Sequence, residues 1–227
     1  MHSPAHIRIF GNMSAKATNG ASKRSAASMA QQAYDHILEL MLRNELKPGD
    51  WVDRRKIAGD LKASLMPVAE AVQRLTAEGF LVAVARRGTH VRVPSREDVR
   101  GQLLLREALE CESARLYCGA PLRADLRRLR RLAEKADRPG DSLSPWQTDL
   151  AFHRALVESA GCKALVEHFD KVMNLTLFQN TALLTPYPFN LGDSHVGLLD
   201  DLARSGPDAA EARLRKHIRT GKDHLFD

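Results

Sequence analysis

The sequence is poor in the features that mark secreted, membrane-spanning or hydrolytic proteins. Cysteine is scarce: Cys111, Cys118 and Cys162 are the only three in 227 residues. An odd total without CxxC spacing excludes a disulfide framework and leaves packed, reduced thiols in a reducing compartment as the expectation. No apolar run approaches the roughly 20 residues that cross a bilayer. The N-terminus lacks the apolar stretch of a secretory signal. A cytoplasmic location without a membrane partner is therefore expected. HExxH and the common Ser or Cys nucleophile motifs are absent, which argues against a hydrolase. No internal repeat is visible.

What remains is an ordinary globular composition, 44% hydrophobic and 27% charged, in a length that suits one large domain or two small ones. The net charge of +6 suits a polyanionic partner, because each neutralised phosphate releases counterions. Residues 1–27 are rich in Ala, Ser, Gly, Asn and Lys and carry no periodicity, which reads as a disordered arm. From Met29 a helical period sets in with Ala33, Ile37, Leu40 and Met41, and Leu46-Lys47-Pro48-Gly49 breaks that helix. A short helix is expected over Arg54–Leu61, then a turn at Lys62-Ala63-Ser64. Ser64 can cap a third helix with Pro67 in its first turn, running through Val68, Ala71, Val72 and Leu75 to Glu78, with Gly79 as its stop. Two β-like runs follow, Leu81–Ala85 and Thr89–Val93, joined at Arg86-Arg87-Gly88. Beyond Pro94-Ser95 only helical periods occur, broken at Pro121, Pro139-Gly140, Pro186 to Pro188 and Gly206-Pro207.

The fold class predicted is mainly α: an N-terminal winged helix-turn-helix of three helices and a two-stranded wing over 28–94, then an all-α helical bundle over 95–227. Helices joined by a short turn form a DNA-reading unit whose second helix enters the major groove.

Residues Pro48 to Val93 resemble the winged helix-turn-helix of GntR-family regulators. The matching segments are Pro48-Gly49, Ile57-Ala58, Leu61, Ser64, Pro67-Val68, Glu70-Ala71, Leu75, Glu78-Gly79 and Arg87-Gly88. The second half resembles the FadR-type all-helical (FCD) effector domain of that family, through Asp149-Leu150-Ala151-Phe152-His153 and the later His195 and His217. The resemblance implies a DNA-binding transcription regulator, a repressor rather than an enzyme, working as a homodimer on a double-stranded operator. It implies a small carboxylate metabolite as effector, and a divalent metal ion in the helical domain. DNA contacts are expected from Arg54, Arg55, Lys56, Ser64, Met66, Arg87, Gly88 and Thr89.

One departure matters for specificity. The family's Ser-Arg-x-Pro-Val-Arg-Glu is here Ser64-Leu65-Met66-Pro67-Val68-Ala69-Glu70. Arginine is the commonest bidentate reader of guanine, so Leu65 and Ala69 predict an atypical operator.

Asp149 and His153 are four residues apart and share one helix face, which suits two ligands of one ion. With His195 and His217 they form the metal set that the family pattern implies. Three imidazoles and a carboxylate suit zinc, nickel, manganese or iron. Such an ion could clamp helices, hold an organic acid, or activate water. Two alternatives stand beside the effector-gated regulator: a regulator that senses the metal itself, and a metal-dependent hydrolase. Arg106 is implied as an inward arginine that pairs with an effector carboxylate; the competing reading is an exposed pair with Glu110 at i+4. Asn174 is a further effector candidate. His90 on the wing, His168, His224 and the arm and first-helix histidines His2, His6 and His36 lack partners at ligand spacing, although His224 could stand behind His217. Arg123, Arg127, Arg128, Arg130 and Arg131 read as a solvated helix face.

Overall fold

The computed structural model describes residues 28–138, 145–182, 193–220 and 222. The arm expected over 1–27, the breaks at Pro139-Gly140 and Pro186 to Pro188, and His224 lie outside them. The described residues form two compact units: 28–95 with 177–182, and 96–176 with 193–222.

The first unit opens with α1 (Met29–Leu42), α2 (Arg54–Asp60) and α3 (Leu65–Ala77), then β1 (Leu81–Val84) and β2 (Gly88–Val91). Ser28 caps α1, accepting from the Gln31 amide at 3.1 Å. Asp53 caps α2 through the amides of Arg55 and Lys56 at 2.9 and 3.0 Å. Ser64 stands at the α3 N-cap, but its hydroxyl makes no capping bond. Gly79 adopts φ +90°, a conformation that glycine enters without a side-chain penalty, and turns the chain from α3 into β1. The wing is an antiparallel pair in the register Leu81 to Val91 and Val84 to Gly88. The chain before α2 extends it: the Val52 amide donates to Thr89 O at 2.8 Å and the Val91 amide to Asp50 O at 2.9 Å.

Ile37, Leu38, Val68, Val72, Leu75, Phe80, Leu81 and Val91 fill this unit's interior. Leu38 is fully buried where the sequence reading chose Leu40, which is half-buried. The inward stripe of a helix is wide enough to take either neighbour of Ile37.

The second unit is helical: α4 (Arg96–Tyr117), α5 (Ala120–Ala124), α6 (Leu126–Asp137), α7 (Pro145–Ser159), the first part of α8 (Lys163–Ala182), α9 (His195–Arg204) and α10 (Pro207–Arg219). Gly119 at φ +69° separates α4 from α5, and Pro121 falls inside α5 rather than before it. Gly206 and Pro207 start α10 as cap and first residue. Its core gathers Leu103, Ala114, Tyr117, Leu129, Phe152, Leu156, Leu198, Leu202 and Leu214. The arginines of α5 and α6 are more than a solvated face. Arg123 donates to Ala203 O at 2.8 Å, Arg130 pairs with Asp200, and Arg128 reaches Asp125 and Glu158. Arg127 and Arg131 are exposed.

The two tryptophans divide between the units, Trp51 in the first and Trp146 in the second. In a Trp146→Phe background, Trp51 fluorescence reports the first unit's unfolding. There, Leu75→Ala is expected to cost about 2–5 kcal/mol for its buried side chain, and Asp53→Ala about 0.5–2 kcal/mol for the lost cap. Equal urea midpoints for all three proteins would contradict this packing.

Candidate metal centre and nucleic-acid interface

α7, α9 and α10 each bring one histidine to a common point inside the second unit. His153 lies mid-α7, one turn after Asp149; His195 opens α9; His217 sits in the last turn of α10. All three are buried, and one ring nitrogen from each lies within 4.8 Å of the others. Their ring centroids stand 5.0 to 5.6 Å apart.

Each imidazole has a carboxylate at its Nδ1. His153 faces Glu110 of α4 at 2.5 Å, His195 faces Asp137 at the end of α6 at 2.8 Å, and His217 faces Asp193 just before α9 at 2.9 Å. A carboxylate there fixes the tautomer with the proton on Nδ1 and leaves Nε2 as the basic nitrogen. The Nε2 of His153 is buried without a hydrogen-bond partner. Asp149 completes the group, with Oδ1 3.0 Å from His195 Nε2 and 3.7 Å from His153 Nε2. The structure thus brings together all four residues of the expected metal set. The donor chemistry fits a divalent transition ion, and the buried unpartnered nitrogen is what a ligand bond would satisfy.

Asp137 does two tasks. Its carboxylate accepts from the backbone amides of His195 and Val196 at 2.7 and 3.1 Å, capping α9, while it also holds the His195 ring. A carboxylate at a helix N-terminus is favoured by the exposed amides and the helix dipole.

Charges around the cluster are closely balanced. Burial opposes ionisation of Glu110, but His153 and Arg106 outweigh it and bring its carboxyl down to about 2. Burial likewise opposes Asp149, yet His153, His195 and Arg106 hold it well below the usual carboxylate range. Burial together with the neighbouring histidines pushes His217 down to about 3, against the pull of Asp193. His195 moves the other way: its bonds to Asp149 and Asp137 overcome burial and raise it.

Arg106 is inward and buried, and it is also paired with Glu110, Nε to Oε1 at 2.6 Å, so each reading of the sequence was half of the arrangement. Its Nη2 lies 3.9 Å from Asp149. Asn174 is half-buried on α8, and among the described residues no hydrogen bond joins it to the histidines. His168 is exposed, with Nδ1 2.9 Å from Ala164 O, away from the cluster. Sequence reasoning missed the roles of Glu110, Asp137 and Asp193 behind the rings. It also missed Lys222, whose ammonium is brought down to about 8 by burial and then by Arg106.

In the first unit, Arg54, Arg55 and Lys56 are exposed in the first turn of α2. The helix dipole disfavours cations there, whereas an anion approaching that end gains from both the dipole and the side chains. Ser64 and Met66 are exposed at the start of α3, and Arg87 and Gly88 at the wing tip, where Arg87 lies 5.4 Å over the Trp51 ring. Thr89 differs from expectation. It is buried, and its hydroxyl accepts from Arg54 Nη2 at 3.2 Å, so it steadies Arg54 instead of facing outward. His90 is half-buried against Trp51.

Two family models match the chain: bacterial regulatory proteins of the gntR family over residues 29–91, and the FCD domain over residues 103–220. A relative from Paenarthrobacter nicotinovorans named "Probable D-xylose utilization operon transcriptional repressor" is 27% identical over 206 residues, covering 87% of this chain and 89% of its own. The transcriptional repressor RspR of Escherichia coli is 22% identical over 198 residues, covering 83% and 85%. Among solved structures, a GntR transcriptional regulator from Rhodococcus sp. RHA1 superposes with a TM-score of 0.67 at 21% identity, covering 88% of this chain and 98% of its own. McbR/YncC of E. coli gives 0.63 at 17% identity with the same coverage. The chain belongs to the GntR family of bacterial regulators, in the group that carries an FCD domain. It is a transcription regulator, and the families and relatives it matches are regulators and not enzymes. Among the described residues, no helix is long and apolar enough to cross a membrane.

If Asp137 both caps α9 and holds His195, Asp137→Ala should lower the second unit's stability by about 0.5–2 kcal/mol from the cap alone. Asp137→Asn, which keeps an acceptor oxygen, should recover part of that. Urea unfolding followed by Trp146 in a Trp51→Phe background measures both, and identical midpoints for Asp137→Ala and the parent would refute the capping role.

Proposed function

We propose that the protein is an operator-binding repressor that works as a homodimer, with a helical domain that holds a divalent ion and admits a small carboxylate effector. The observation that carries this reading is the set of three buried imidazoles, each backed by a carboxylate, with the His153 Nε2 left unpartnered.

Asp149, His153, His195 and His217 would hold the ion. When bound, it supplies a Lewis-acidic point of attraction for an anionic ligand. The chain's own residues do the rest. Glu110, Asp137 and Asp193 orient the rings. Arg106 places a buried guanidinium beside Asp149, where the planar fork suits a carboxylate. Lys222 adds a second cation close to Arg106 and Asp149. Arg54, Arg55, Lys56, Ser64, Met66, Arg87 and Gly88 form the DNA-facing set on the head. Two such heads related by a two-fold axis match the two half-sites of a pseudo-palindrome. An effector that binds one arrangement of the heads better than the other changes operator affinity, and the coupling is reciprocal.

Elemental analysis of the purified protein should find one divalent ion per chain, lost in His153→Ala and His217→Ala. Titrating that ion into chelated protein should release protons near neutral pH. His195 is shifted up by Asp149 and Asp137, so it holds its proton to higher pH than an ordinary histidine; the ion competes with that proton, and affinity should rise with pH across the titration of His195. His217, already brought down to about 3, contributes no proton. Small organic acids should then change operator affinity of the metal-loaded protein only. Operator affinity that follows metal loading with no organic acid would favour a metal-sensing regulator instead. Absence of bound metal after growth in zinc, nickel, manganese and iron would overturn the metal reading.

A further inference from the structure

The outward face of α3 carries no cation in its first two turns. Leu65, 51% exposed, and Met66, 68% exposed, open the helix. Half-buried Ala69 lies one turn after Leu65, on the same row. Exposed Glu70 and Gln73 follow. Arg74, the first cation of the helix, is engaged elsewhere: its Nε donates to Glu78 at 2.9 Å, its Nη1 to Gln31 at 2.8 Å, and its guanidinium lies 3.9 Å over the Tyr34 ring. The elements packed against α3 carry exposed cations of their own, Arg54, Arg55 and Lys56 on α2 and Arg87 at the wing tip. An apolar helix start flanked by elements that carry cations matches a surface that is anionic at its rims and presents apolar groups between them.

The DNA major groove is such a surface. Phosphates line its edges, and the apolar group on its floor is the C5-methyl of thymine. Residues in the first turn of a reading helix reach base edges. Guanine is read by arginine or lysine, which the first two turns of α3 lack, and apolar side chains contact the thymine methyl. We propose that Leu65 and Met66 read thymine methyl groups, so that each half-site presents thymine at the base steps facing the start of α3. The proposal rests on the operator-binding reading above and specifies what that interface recognises.

The test uses the full-length protein. Selection from random duplexes at low salt yields its preferred site, and each thymine of that site is then replaced in turn by deoxyuridine. Uracil keeps the pairing edge and removes only the methyl. Loss of one buried methyl should weaken binding about four-fold, from the transfer free energy of one carbon. The double variant Leu65→Ala, Met66→Ala should bind the thymine and uracil duplexes equally, and Leu65→Arg should move the selected base towards guanine. Both positions are exposed, and unchanged thermal unfolding of the variants confirms that the head is intact. Guanine enriched at these steps, or equal wild-type affinity for the thymine and uracil duplexes, overturns the thymine reading while leaving operator binding in place. Enrichment of no duplex at all overturns the operator-binding reading, and this proposal falls with it.

Discussion

Three imidazoles are packed against one another in the second unit, and the arrangement depends on the carboxylate behind each ring. Without Glu110, Asp137 and Asp193, the Nδ1 protons would be buried donors without acceptors, each costing about 1–3 kcal/mol. With them, one ring nitrogen of each histidine lies within 4.8 Å of the others, and those of His153 and His195 also face Asp149. The same constraint fixes the helices. Glu110 ties α4 to α7, Asp137 ties α6 to α9, and Asp193 ties the start of α9 to α10. Arg106, paired with Glu110 on its own helix, supplies a cation that, with His153, favours the ionised carboxylate. The His153 Nε2 remains the one open account in that network. A metal bond would satisfy it at the point where the histidine nitrogens converge.

The head obeys a different balance. Its interior is apolar, and its outer edge gathers charge where helix electrostatics disfavour it, at the start of α2. Asp53 and the Arg54 bond to Thr89 hold that end in shape. Arg74, the one cation within α3, is used up by Tyr34, Gln31 and Glu78. What α3 exposes at its start is therefore apolar, while Arg54, Arg55, Lys56 and Arg87 place exposed cations on α2 and the wing.

Most of the head was legible in the sequence because its boundaries are written in residues with one conformational meaning. Ser64 and Gly79 placed the ends of α3 and Arg86 to Gly88 the wing tip, whereas α1 stops at Leu42, ahead of the expected Leu46-Lys47-Pro48-Gly49 break, with Asn44 in the left-handed region. The choice between Leu38 and Leu40 was not legible, since both flank Ile37 on a broad inward stripe. The α7–α8 break at Gly161, with φ +68°, carries no proline to announce it. Of the metal set, Asp149 and His153 were visible as an i, i+4 pair, and His195 and His217 only through the family pattern. The carboxylates behind the rings lie 43, 58 and 24 residues from their histidines, so only the packing of the helices reveals them. Thr89 looked like surface because strand alternation does not say which side of a short wing faces α2.

The central claim is that these histidines present Nε2 to a common ion. Anomalous diffraction from crystals of the protein as purified, recorded across the absorption edges of manganese, iron, nickel and zinc, tests it directly. The account predicts one peak per chain, about 2.0–2.2 Å from the Nε2 atoms of His153, His195 and His217. A cluster holding only water, or a metal bound through Nδ1 with the carboxylates displaced, would contradict it.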